Sequence, residues 1–479
     1  MGAANFPDSS ISGVADLAGA RVLVAGARVT GSSAARVLGE LGAAVTVTDS
    51  SSAQLAKLAG TGVQLSVGLS APPPGTDLVV ASPGFRPDSA LLVAAQQAGV
   101  SVIGDAALAR WVDRAQSRGS GRAGAEWLVV TGTNGKTTTV GMLESILRAA
   151  GLDAVACGNI GLPVLDAVRQ GHRVLAVELS SFQLHWSPEL DPRAAVVLNL
   201  SADHLDWHGS IAGYAAAKGS VYADRTSAVF NLDDEWSTRL AVGKAGTGFT
   251  TGAPRGGELG VVDGRLVDRA FAGDGNTTVL AGLIDVRPGG THNVANALAA
   301  AALARTVGVS AHAVAEGLRT FIPGGHRGVV VSERAGVRYI DDSKATNPHA
   351  ARAALLAHDR VVWVAGGLLK GAEVDELVAD VRERLVGAVL LGVDRAIIAT
   401  ALARHAPQVP VQVVDSGDDG AMTEVVAAAA GLARPGDVVL LAPAAASMDM
   451  FADYAQRGRA FAAAASALDP RRRDSEVGR

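Results

Sequence analysis

Short apolar runs alternate with segments of helical periodicity along the chain, in three successive groups. In the first group, runs at 21–26 (RVLVAG), 44–49, 78–81 and 100–103 predict strands, and a helix is expected from about Gly31. The order strand, glycine turn, helix, strand is that of a βαβ unit. We therefore expect an open sheet covered by helices over roughly the first hundred residues.

The middle group begins at the strand 127–131, after a polar stretch at 117–126 (SRGSGRAGAE) that is typical of a flexible connection. Glycine and threonine are frequent at 242–290, so this segment is expected to form a small irregular sheet or an excursion loop. The remaining predicted elements are a helix at 135–150, strands at 173–178, 194–200 and 227–231, and helices at 210–222 and 293–307.

The third group follows FIPGGHRG at 321–328 and predicts another α/β unit. Its strands are expected at 337–341, 361–365, 388–391, 410–415 and 437–442. The charged end DPRRRDSEVGR at 469–479 lacks periodicity and is expected to fray. The three groups predict consecutive α/β domains over residues 1–104, 105–323 and 324–479.

Composition narrows the class of protein. With 48% hydrophobic residues, 19% charged residues and a net charge of −5, the chain does not resemble a disordered protein or a nucleic-acid binder driven by bulk charge. A single cysteine, Cys157, excludes an internal disulfide. The sequence lacks a long apolar run, and its start lacks a basic segment followed by an apolar one, so we expect no membrane span and a cytoplasmic location.

Lysine is rare, and most lysines lie in motifs. Arginine supplies most of the 42 basic residues, and the lysines are Lys57, Lys136, Lys218, Lys244, Lys344 and Lys370. Arginine can replace lysine on a solvated face, but it cannot supply a compact ammonium or an amine that readily loses its proton. Four of the six lysines belong to the motifs described next.

The strongest local signal is GTNGKT, Gly132 to Thr137, between an apolar strand and a helix. Backbone N–H groups in such a turn bind phosphate oxygens, the lysine reaches the terminal phosphates and the threonine hydroxyl can ligate Mg²⁺. The motif has two residues between its glycines, where the general P-loop has four. It nevertheless predicts an ATP site.

Polar residues at neighbouring strand ends suggest further ligands. Glu178 ends a predicted strand, where a carboxylate could hold Mg²⁺. The segment Asn199 to His208 gathers two histidines and two aspartates, a spacing that is also compatible with zinc. Lys218 lies on an alanine-rich helix, where local sequence favours a solvated charge. A neutral amine there that had captured CO₂ would instead present a carboxylate to a second metal.

Three polar clusters follow predicted strands of the third unit. They are Asp341 to Pro348 (DDSKATNP), Gly366 to Gly371 and Pro443 to Ser447. Because the carboxyl ends of parallel strands meet at one edge of a sheet, a single crevice could collect them. An Asx-type helix cap would explain part of the first cluster without any ligand.

The first glycine turn, Gly26 to Gly31, resembles a dinucleotide fingerprint only in part. Arg28 replaces the central glycine that lets a pyrophosphate approach the backbone, so the turn is a weak signal for NAD. Asp49 could accept hydrogen bonds from a nucleoside, or it could simply be a polar residue that ends the strand.

Together these motifs resemble the Mur ligase family. The resemblance rests on TGTNGKTT, GNIG, ELSSFQL, NLSADHLDWHG, YAAAKGSVY, HNVANALAA, HRG, DDSKATNP and PAAASMDMF, and it spans nearly the whole chain. The pairing of SSFQL with DDSKATN points to the member that adds D-glutamate to UDP-N-acetylmuramoyl-L-alanine in peptidoglycan synthesis. The family implies a Rossmann-like N-terminal domain for the UDP-sugar, a central P-loop-type ATPase domain, and a Rossmann-like C-terminal domain for the amino acid.

The resemblance also implies residue roles. ATP would contact Gly132, Thr133, Asn134, Gly135, Lys136, Thr137, Thr138, Asn293, Arg327 and Asp341. Two Mg²⁺ ions would be held by Thr137, Glu178, His204 and a carbamate formed from CO₂ on Lys218, and Lys136, His204 and Lys218 would be catalytic. The UDP-sugar would contact Thr30, Asp49, Ser50, Ser82, Gly84 and Asn159. D-Glutamate would contact Lys344, Thr346, Lys370, Ser447 and Tyr454.

The chain departs from the family pattern at several of these places. Arg28 stands where a glycine is usual, Leu368 and Leu369 where an Asp-Gly pair is common, and Met448 and Tyr454 where phenylalanine is usual.

Other functions stay open at this point. The alternatives are another Mur-type or folylpolyglutamate-type amide ligase, an NAD-linked oxidoreductase and a nucleotide switch without ligase activity. We expect no nucleic-acid partner, and a monomer.

Overall fold

The computed structural model describes residues 11–121, 123–273, 275–415 and 420–468. These residues form two compact units: the first contains those up to Asp285 together with Ala295–Phe321, and the second contains Val286–Val294 and those from Ile322 onward. Two β-sheets lie in the first unit and one in the second. The start of the chain and the tail at 469–479, both discussed above from sequence, lie outside the described residues.

The first sheet is parallel throughout, in the order β3-β2-β1-β4-β5. The order reverses beside β1, so the ends of β1 and β4 form the switch point at which such sheets bind ligands. Its strands are β1 (Arg21–Ala25), β2 (Ala44–Asp49), β3 (Gln64–Val67), β4 (Leu78–Ala81) and β5 (Ser101–Gly104), with helices α1 (Val29–Glu40), α2 (Ser52–Ala56) and α3 (Ala90–Gln97).

The second sheet has the order β14-β13-β12-β11-β10-β9-β6-β8-β7. Its strands are β6 (Glu126–Thr131), β7 (Ala154–Gly158), β8 (Val174–Glu178), β9 (Ala194–Val197), β10 (Ser227–Asn231), β11 (Gly246–Phe249), β12 (Glu258–Val262), β13 (Arg265–Asp268) and β14 (Thr278–Gly282). The helices are α4 (Asp105–Ser120), α5 (Lys136–Ala149), α6 (Val164–Arg169), α7 (Ser181–His185), α8 (Leu205–His208), α9 (Ile211–Gly219), α10 (Glu235–Leu240), α11 (Thr291–Thr306) and α12 (Ala311–Thr320). Strands β6 and β8 are buried along almost their whole length, as apolar runs in a covered parallel sheet should be.

Two predictions for this region are wrong. The segment 117–126 is not a flexible connection throughout, because α4 continues to Ser120 and β6 starts at Glu126. Helix α4 stays ordered because Leu108 and Val112 are buried in the core that both sheets share. The segment 242–290 is neither a separate irregular sheet nor a loop. Strands β11 to β14 add to β10 and extend the main sheet, first in parallel and then in antiparallel pairing.

The third sheet has the order β15-β16-β20-β17-β18-β19, with β15 antiparallel and the other pairs parallel. Its strands are β15 (Val329–Arg334), β16 (Val337–Asp341), β17 (Val361–Gly366), β18 (Leu385–Leu391), β19 (Val411–Val413) and β20 (Val438–Leu441). The helices are α13 (Pro348–Leu356), α14 (Asp375–Val381), α15 (Arg395–His405), α16 (Ala421–Leu432) and α17 (Tyr454–Ala467). Strands β16, β20 and β17 are neighbours, so the three polar clusters that follow them meet at one edge.

The three-domain α/β fold predicted from the sequence is confirmed, with a Rossmann-like sheet at each end of the chain. The domain boundaries at 104 and 323 stay predictions. No helix within the described residues is long and apolar enough to cross a membrane.

Candidate functional site

The phosphate loop lies where the sequence places it, between the end of β6 and the first turn of α5. Gly132 and Gly135 both have positive φ, at 149° and 85°. A side chain at Gly135 would also clash, because its Cβ would lie 2.3 Å from Oδ1 of Asn296. Asn199, beyond the end of β9, accepts a hydrogen bond from Asn134 N at 2.9 Å and so holds the loop from the neighbouring strand.

Lys136 folds back over this loop. Its Nζ donates to the carbonyl oxygens of Gly132 at 2.9 Å and Thr133 at 2.8 Å. Burial lowers the pKa of Lys136, while the carboxylates of Glu178 and Asp203 oppose that shift. The ammonium is therefore positioned at the loop by neutral acceptors, which it can exchange for phosphate oxygens.

Glu178 and Thr137 form a group of hard oxygen donors beside the loop. Thr137 Oγ1 donates to Oε2 of Glu178 at 2.7 Å, and Asn159 Nδ2 donates to Oε1 at 3.2 Å. The carboxylate is only 2% exposed. A buried carboxylate and a hydroxyl beside a phosphate loop fit Mg²⁺, which takes one or two protein oxygens and completes its shell with phosphate and water. The described residues contain no group of three His, Cys, Asp or Glu side chains placed to hold a metal, so the zinc ligand set considered from sequence is not assembled.

Lys218 is buried, and the solvated charge favoured by its local sequence is wrong. Its Nζ donates to Gly132 O at 2.8 Å, contacts Thr131 Oγ1 at 3.4 Å and lies 4.7 Å from the centroid of the Tyr214 ring. The residue is 1% exposed. Burial, reinforced by the nearby ammonium of Lys136, lowers the pKa of Lys218 well below its usual value. These surroundings favour the neutral amine.

The rings of His204 and His208 pack in an aromatic cluster with Phe182. The His204 ring is 4.7 Å from the Phe182 ring, and its Nε2 lies 3.5 Å from Asp203. His208 Nε2 is 2.9 Å from Ser181 Oγ. Burial lowers the pKa of both histidines, that of His208 to about 4. His204 is nevertheless partly exposed and lies beside the residues that surround Lys218.

The first glycine turn is packed too tightly for any side chain at Gly31, whose Cβ would lie 1.9 Å from Gly26 O. Asp49 stabilises the turn, because Oδ2 accepts from Ala27 N at 2.8 Å and Oδ1 from Ser51 N at 2.9 Å. The Ser82 hydroxyl lies against Gly26 and is buried with no partner among the described residues. An orphaned hydroxyl at the switch point of the sheet fits a phosphate or sugar ligand.

The other residues assigned to the UDP-sugar are spread over two places. Thr30 lies in the first turn of α1, while Ser50 and Gly84 are exposed beyond the ends of β2 and β4. Asn159 lies elsewhere, beside Glu178 in the phosphate site. A ligand that contacted both places would extend from the first sheet toward the phosphate loop.

In the second unit, the strand-end clusters converge as predicted. Asp341 Oδ2 lies 2.6 Å from His326 Nδ1, and Oδ1 accepts from Ser343 N at 3.0 Å. Lys344 Nζ lies 4.2 Å from the centroid of the Tyr454 ring. Leu368 and Ala446 pair as an isolated bridge, which brings the loops before Lys370 and Ser447 together.

The remaining second-unit residues that the resemblance names differ in their exposure. Thr346 is half-buried and Lys370 exposed, with Lys370 in the left-handed region at φ 54°. Ser447 is 4% exposed. Arg327 is half-buried, and its guanidinium is close to Gly324. Asn293 Nδ2 donates to Gly289 O at 3.1 Å.

Sequence reasoning missed Arg457, which ties the three loops of the second unit together. It is 1% exposed, and its guanidinium donates to Ser343 Oγ at 3.0 Å, Ser343 O at 2.9 Å, Ala445 O at 3.1 Å and Gly366 O at 3.4 Å. Burial lowers its pKa to about 10. Helical spacing could have revealed it, because Arg457, Phe461 and Ala464 share one buried face of α17.

Asp105 was also missed. It starts α4, is 5% exposed and has no cationic partner: Oδ2 accepts from Gln183 Nε2 at 3.1 Å, and Oδ1 has no partner among the described residues. Burial raises its pKa to about 6, which outweighs the hydrogen bonds that stabilise the carboxylate. Gln183 also accepts from Ser180 N at 3.1 Å, in the loop after Glu178. Asp105 thus connects the first sheet to the residues beside the phosphate site.

Comparison with family models gives three matches along the chain. Residues 130–304 match the Mur ligase middle domain, and residues 326–445 match the Mur ligase glutamate ligase domain. Residues 8–104 match the C-terminal domain of alanine dehydrogenase and PNT. The phosphate loop, Glu178 and Lys218 lie in the first of these matches.

Full-length relatives and solved structures agree with these matches. The chain is 52% identical to UDP-N-acetylmuramoylalanine–D-glutamate ligase of Nocardia farcinica, over 97% of this chain and 99% of the relative. It is 54% identical to the ligase of the same name from Streptomyces coelicolor, over 95% and 99%. The fold is similar to that of UDP-N-acetylmuramate-alanine ligase of Thermotoga maritima, with a TM-score of 0.55 at 20% identity over 92% of this chain and 98% of that one. A pseudomurein peptide ligase type C from Methanothermus fervidus gives a TM-score of 0.54 at 18% identity, over 88% and 96%.

Proposed function

The chain belongs to the Mur ligase family, and from this premise we propose that it joins D-glutamate to UDP-N-acetylmuramoyl-L-alanine at the expense of ATP. The full-length relatives carry this activity in their names, which favours it over another amide ligase, an oxidoreductase or a nucleotide switch. The product would enter peptidoglycan precursor synthesis for the cell wall. We further propose that the protein acts in the cytoplasm as a monomer.

One observation carries the proposal: the amines of Lys136 and Lys218 both contact the carbonyl of Gly132, beside the oxygens of Thr137 and Glu178. A site with an ammonium, hard oxygen donors and a tight glycine loop is suited to a nucleoside triphosphate and Mg²⁺. Bound Mg²⁺ would neutralise charge on the phosphates, and Thr137, Glu178, His204 and Lys218 are the residues proposed to hold the two ions.

The reaction needs an activated acid, because an amine cannot displace oxide from a carboxylate. An oxygen of the L-alanyl carboxylate attacks the γ-phosphorus of ATP, the bond to ADP breaks, and an acyl phosphate forms. The amine of D-glutamate then attacks the acyl carbon, phosphate leaves, and the nitrogen loses a proton to give the amide. Lys136 exchanges Gly132 O and Thr133 O for phosphate oxygens and stabilises the charge that develops on them. The loop amides, with Thr133, Asn134 and Thr138, position the phosphates.

Lys218 is proposed to carry a carbamate. The neutral amine that its buried position favours attacks CO₂, a C–N bond forms and one proton leaves, which gives a carboxylate in place of an amine. Replacing Lys218 with alanine should abolish activity, and a short carboxylic acid should restore part of it by filling the vacant position. Full activity of Lys218→Arg would contradict the carbamate, because a guanidinium does not capture CO₂.

The remaining roles are proposed from the family and from position. Thr30, Asp49, Ser50, Ser82 and Gly84 would contact the UDP-sugar, and Asn159 its end nearest the phosphate site. Asn293, Arg327 and Asp341 would contact ATP. Lys344, Thr346, Lys370, Ser447 and Tyr454 would contact D-glutamate.

A direct test incubates the protein with ATP, Mg²⁺, UDP-N-acetylmuramoyl-L-alanine and, separately, D-glutamate, L-glutamate and a diamino acid. We expect the product mass to rise by one glutamyl residue with D-glutamate alone, and Lys136→Ala to stop phosphate release. Preferred use of another amino acid would replace this proposal with a different ligase. ATP hydrolysis without any amino-acid requirement would favour a nucleotide switch.

A further inference from the structure

A cavity of about 540 Å³ lies on the first unit, away from the phosphate loop. Its walls are the second half of α4, the segment that leads into β6, the residues just before β9, and Arg225 just before β10. These are the amino ends of strands β6, β9 and β10, whereas the phosphate loop and Glu178 follow carboxyl ends. The cavity and the proposed ATP site therefore lie at opposite ends of the same strands.

An ion pair between Arg110 and Asp113 forms the inner wall of the cavity. Arg110 donates to Asp113 Oδ2 at 2.8 Å and lies 5.3 Å from the centroid of the Trp127 ring. Asp113 also accepts from Trp127 Nε1 and from Ala125 N, both at 3.0 Å. This carboxylate is already satisfied by three donors, while Nε of Arg110 is buried without a partner among the described residues. Arg110 can therefore donate to a ligand, whereas Asp113 needs no further donor.

A strained loop holds the guanidinium groups in place. Glu189 and Asp191 both lie in the left-handed region, at φ 58° and 45°, which is costly for residues other than glycine. Asp191 O accepts from Arg110 at 2.8 Å, and Glu189 O accepts from Arg114 at 3.3 Å. These neutral carbonyls fix both guanidinium groups without adding negative charge; Asp113 pairs with Arg110 at 2.8 Å, and the nearest carboxylate oxygen to Arg114 is that of Asp191, at 3.9 Å.

The rim adds three arginines whose side chains are weakly paired, or not paired at all, with the residues that the structure describes. Arg118 and Arg225 are exposed, and their side chains have no hydrogen bond or ion pair to any residue that the structure describes. Arg193 has a carboxylate partner only at 3.9 Å, in Glu126. The lining contains five arginines against three carboxylates, and so is positive by two charges in a protein whose net charge is −5.

We propose that this cavity is a second anion site, which binds a small oligophosphate through its arginines. A guanidinium group can donate two parallel hydrogen bonds to the oxygens of one phosphate group. Several arginines around one concave surface therefore suit a ligand with more than one phosphate group. The site is independent of the proposed ligase reaction, because none of its arginines contacts the phosphate loop residues.

The test measures tripolyphosphate binding by isothermal titration calorimetry, without Mg²⁺, in a Lys136→Ala background that weakens phosphate binding at the loop. We expect saturable binding at this cavity. Arg118→Ala with Arg225→Ala should weaken it about tenfold or more, since both rim cations are lost. Arg118→Lys with Arg225→Lys should retain more affinity than the alanine pair, because charge remains while the fork is lost.

Arg255→Ala with Arg265→Ala is the matched control, since it removes two exposed arginines outside the cavity and changes net charge equally. The affinity of this control should stay within about twofold of the parent. Absence of saturable binding in the parent, or an equal loss in the control pair, would overturn the proposal. With Lys136 intact, the rim variants should keep full ligase activity, so the result is distinct from any failure of the proposed function.

Discussion

Replacing Asp105 with asparagine removes a buried carboxyl without changing its shape. Gln183 Nε2 can still donate to the remaining oxygen, as it does at 3.1 Å in the protein. Burial raises the pKa of Asp105 from 3.8 to about 6, a change of roughly two units, and each unit corresponds to about 1.4 kcal/mol. Ionising this group therefore costs the folded state about 3 kcal/mol.

The sign of the pH dependence follows from the direction of the shift. Because the pKa is higher in the folded state, the protonated carboxyl stabilises the fold below pH 4, and that stability is lost as the pH rises through about 6. We expect the stability of Asp105→Asn relative to the parent to rise by about 2.5 kcal/mol between pH 4 and pH 7.5, because at pH 4 the unfolded carboxyl is already partly ionised. Urea unfolding followed by circular dichroism at several pH values measures this difference.

Asp224→Asn is the matched control, because the Asp224 side chain is fully exposed. It should show no comparable rise over the same pH range. The reasoning would be refuted if the difference in unfolding free energy between Asp105→Asn and the parent stayed constant from pH 4 to pH 8. A carboxyl whose pKa is raised in the folded state must destabilise the folded protein as it ionises.

Three other substitutions test separate parts of the account. Gly31→Ala places a Cβ 1.9 Å from Gly26 O, so it should weaken UDP-sugar binding in calorimetry while leaving ATP binding unchanged; equal effects on both would contradict the assignment of the turn. The lysine of Arg457→Lys cannot reach all the acceptors of the guanidinium, so the KM for D-glutamate should rise about tenfold, while circular dichroism should show that the fold is retained. An unchanged KM would exclude a positioning role for Arg457. Thr137→Val removes the hydroxyl beside Glu178, so half-maximal activity should need more Mg²⁺; an unchanged requirement would exclude Thr137 as a ligand.

Strands buried on both faces were predictable from sequence, because they form continuous apolar runs. Such runs identified β1, β6 and β8. Strand β3, Gln64–Val67, was missed because its side chains are mostly exposed and its residues are mixed in polarity. The strands after β10 were misjudged because sequence shows neither the open edge of β10 nor the pairing of β11 with it.

Site residues were predictable where a chemically distinctive residue or motif lies at the end of a predicted strand, as in the phosphate loop and at Glu178. They were not predictable where a distant contact decides the environment. The local sequence around Lys218 indicates a solvated helix, and its burial comes from Gly132, 86 residues away in the chain. Arg457 likewise gains its role from loops that only the folded sheet brings together.

The most direct test of the proposed function follows one oxygen atom through the reaction. UDP-N-acetylmuramoyl-L-alanine labelled with ¹⁸O in the alanyl carboxylate is incubated with the protein, ATP, Mg²⁺ and D-glutamate, and both products are weighed. Attack of that carboxylate on ATP predicts one ¹⁸O in the released phosphate for each D-glutamyl amide formed. Unlabelled phosphate, or labelled substrate recovered without an added glutamyl residue, would contradict the account.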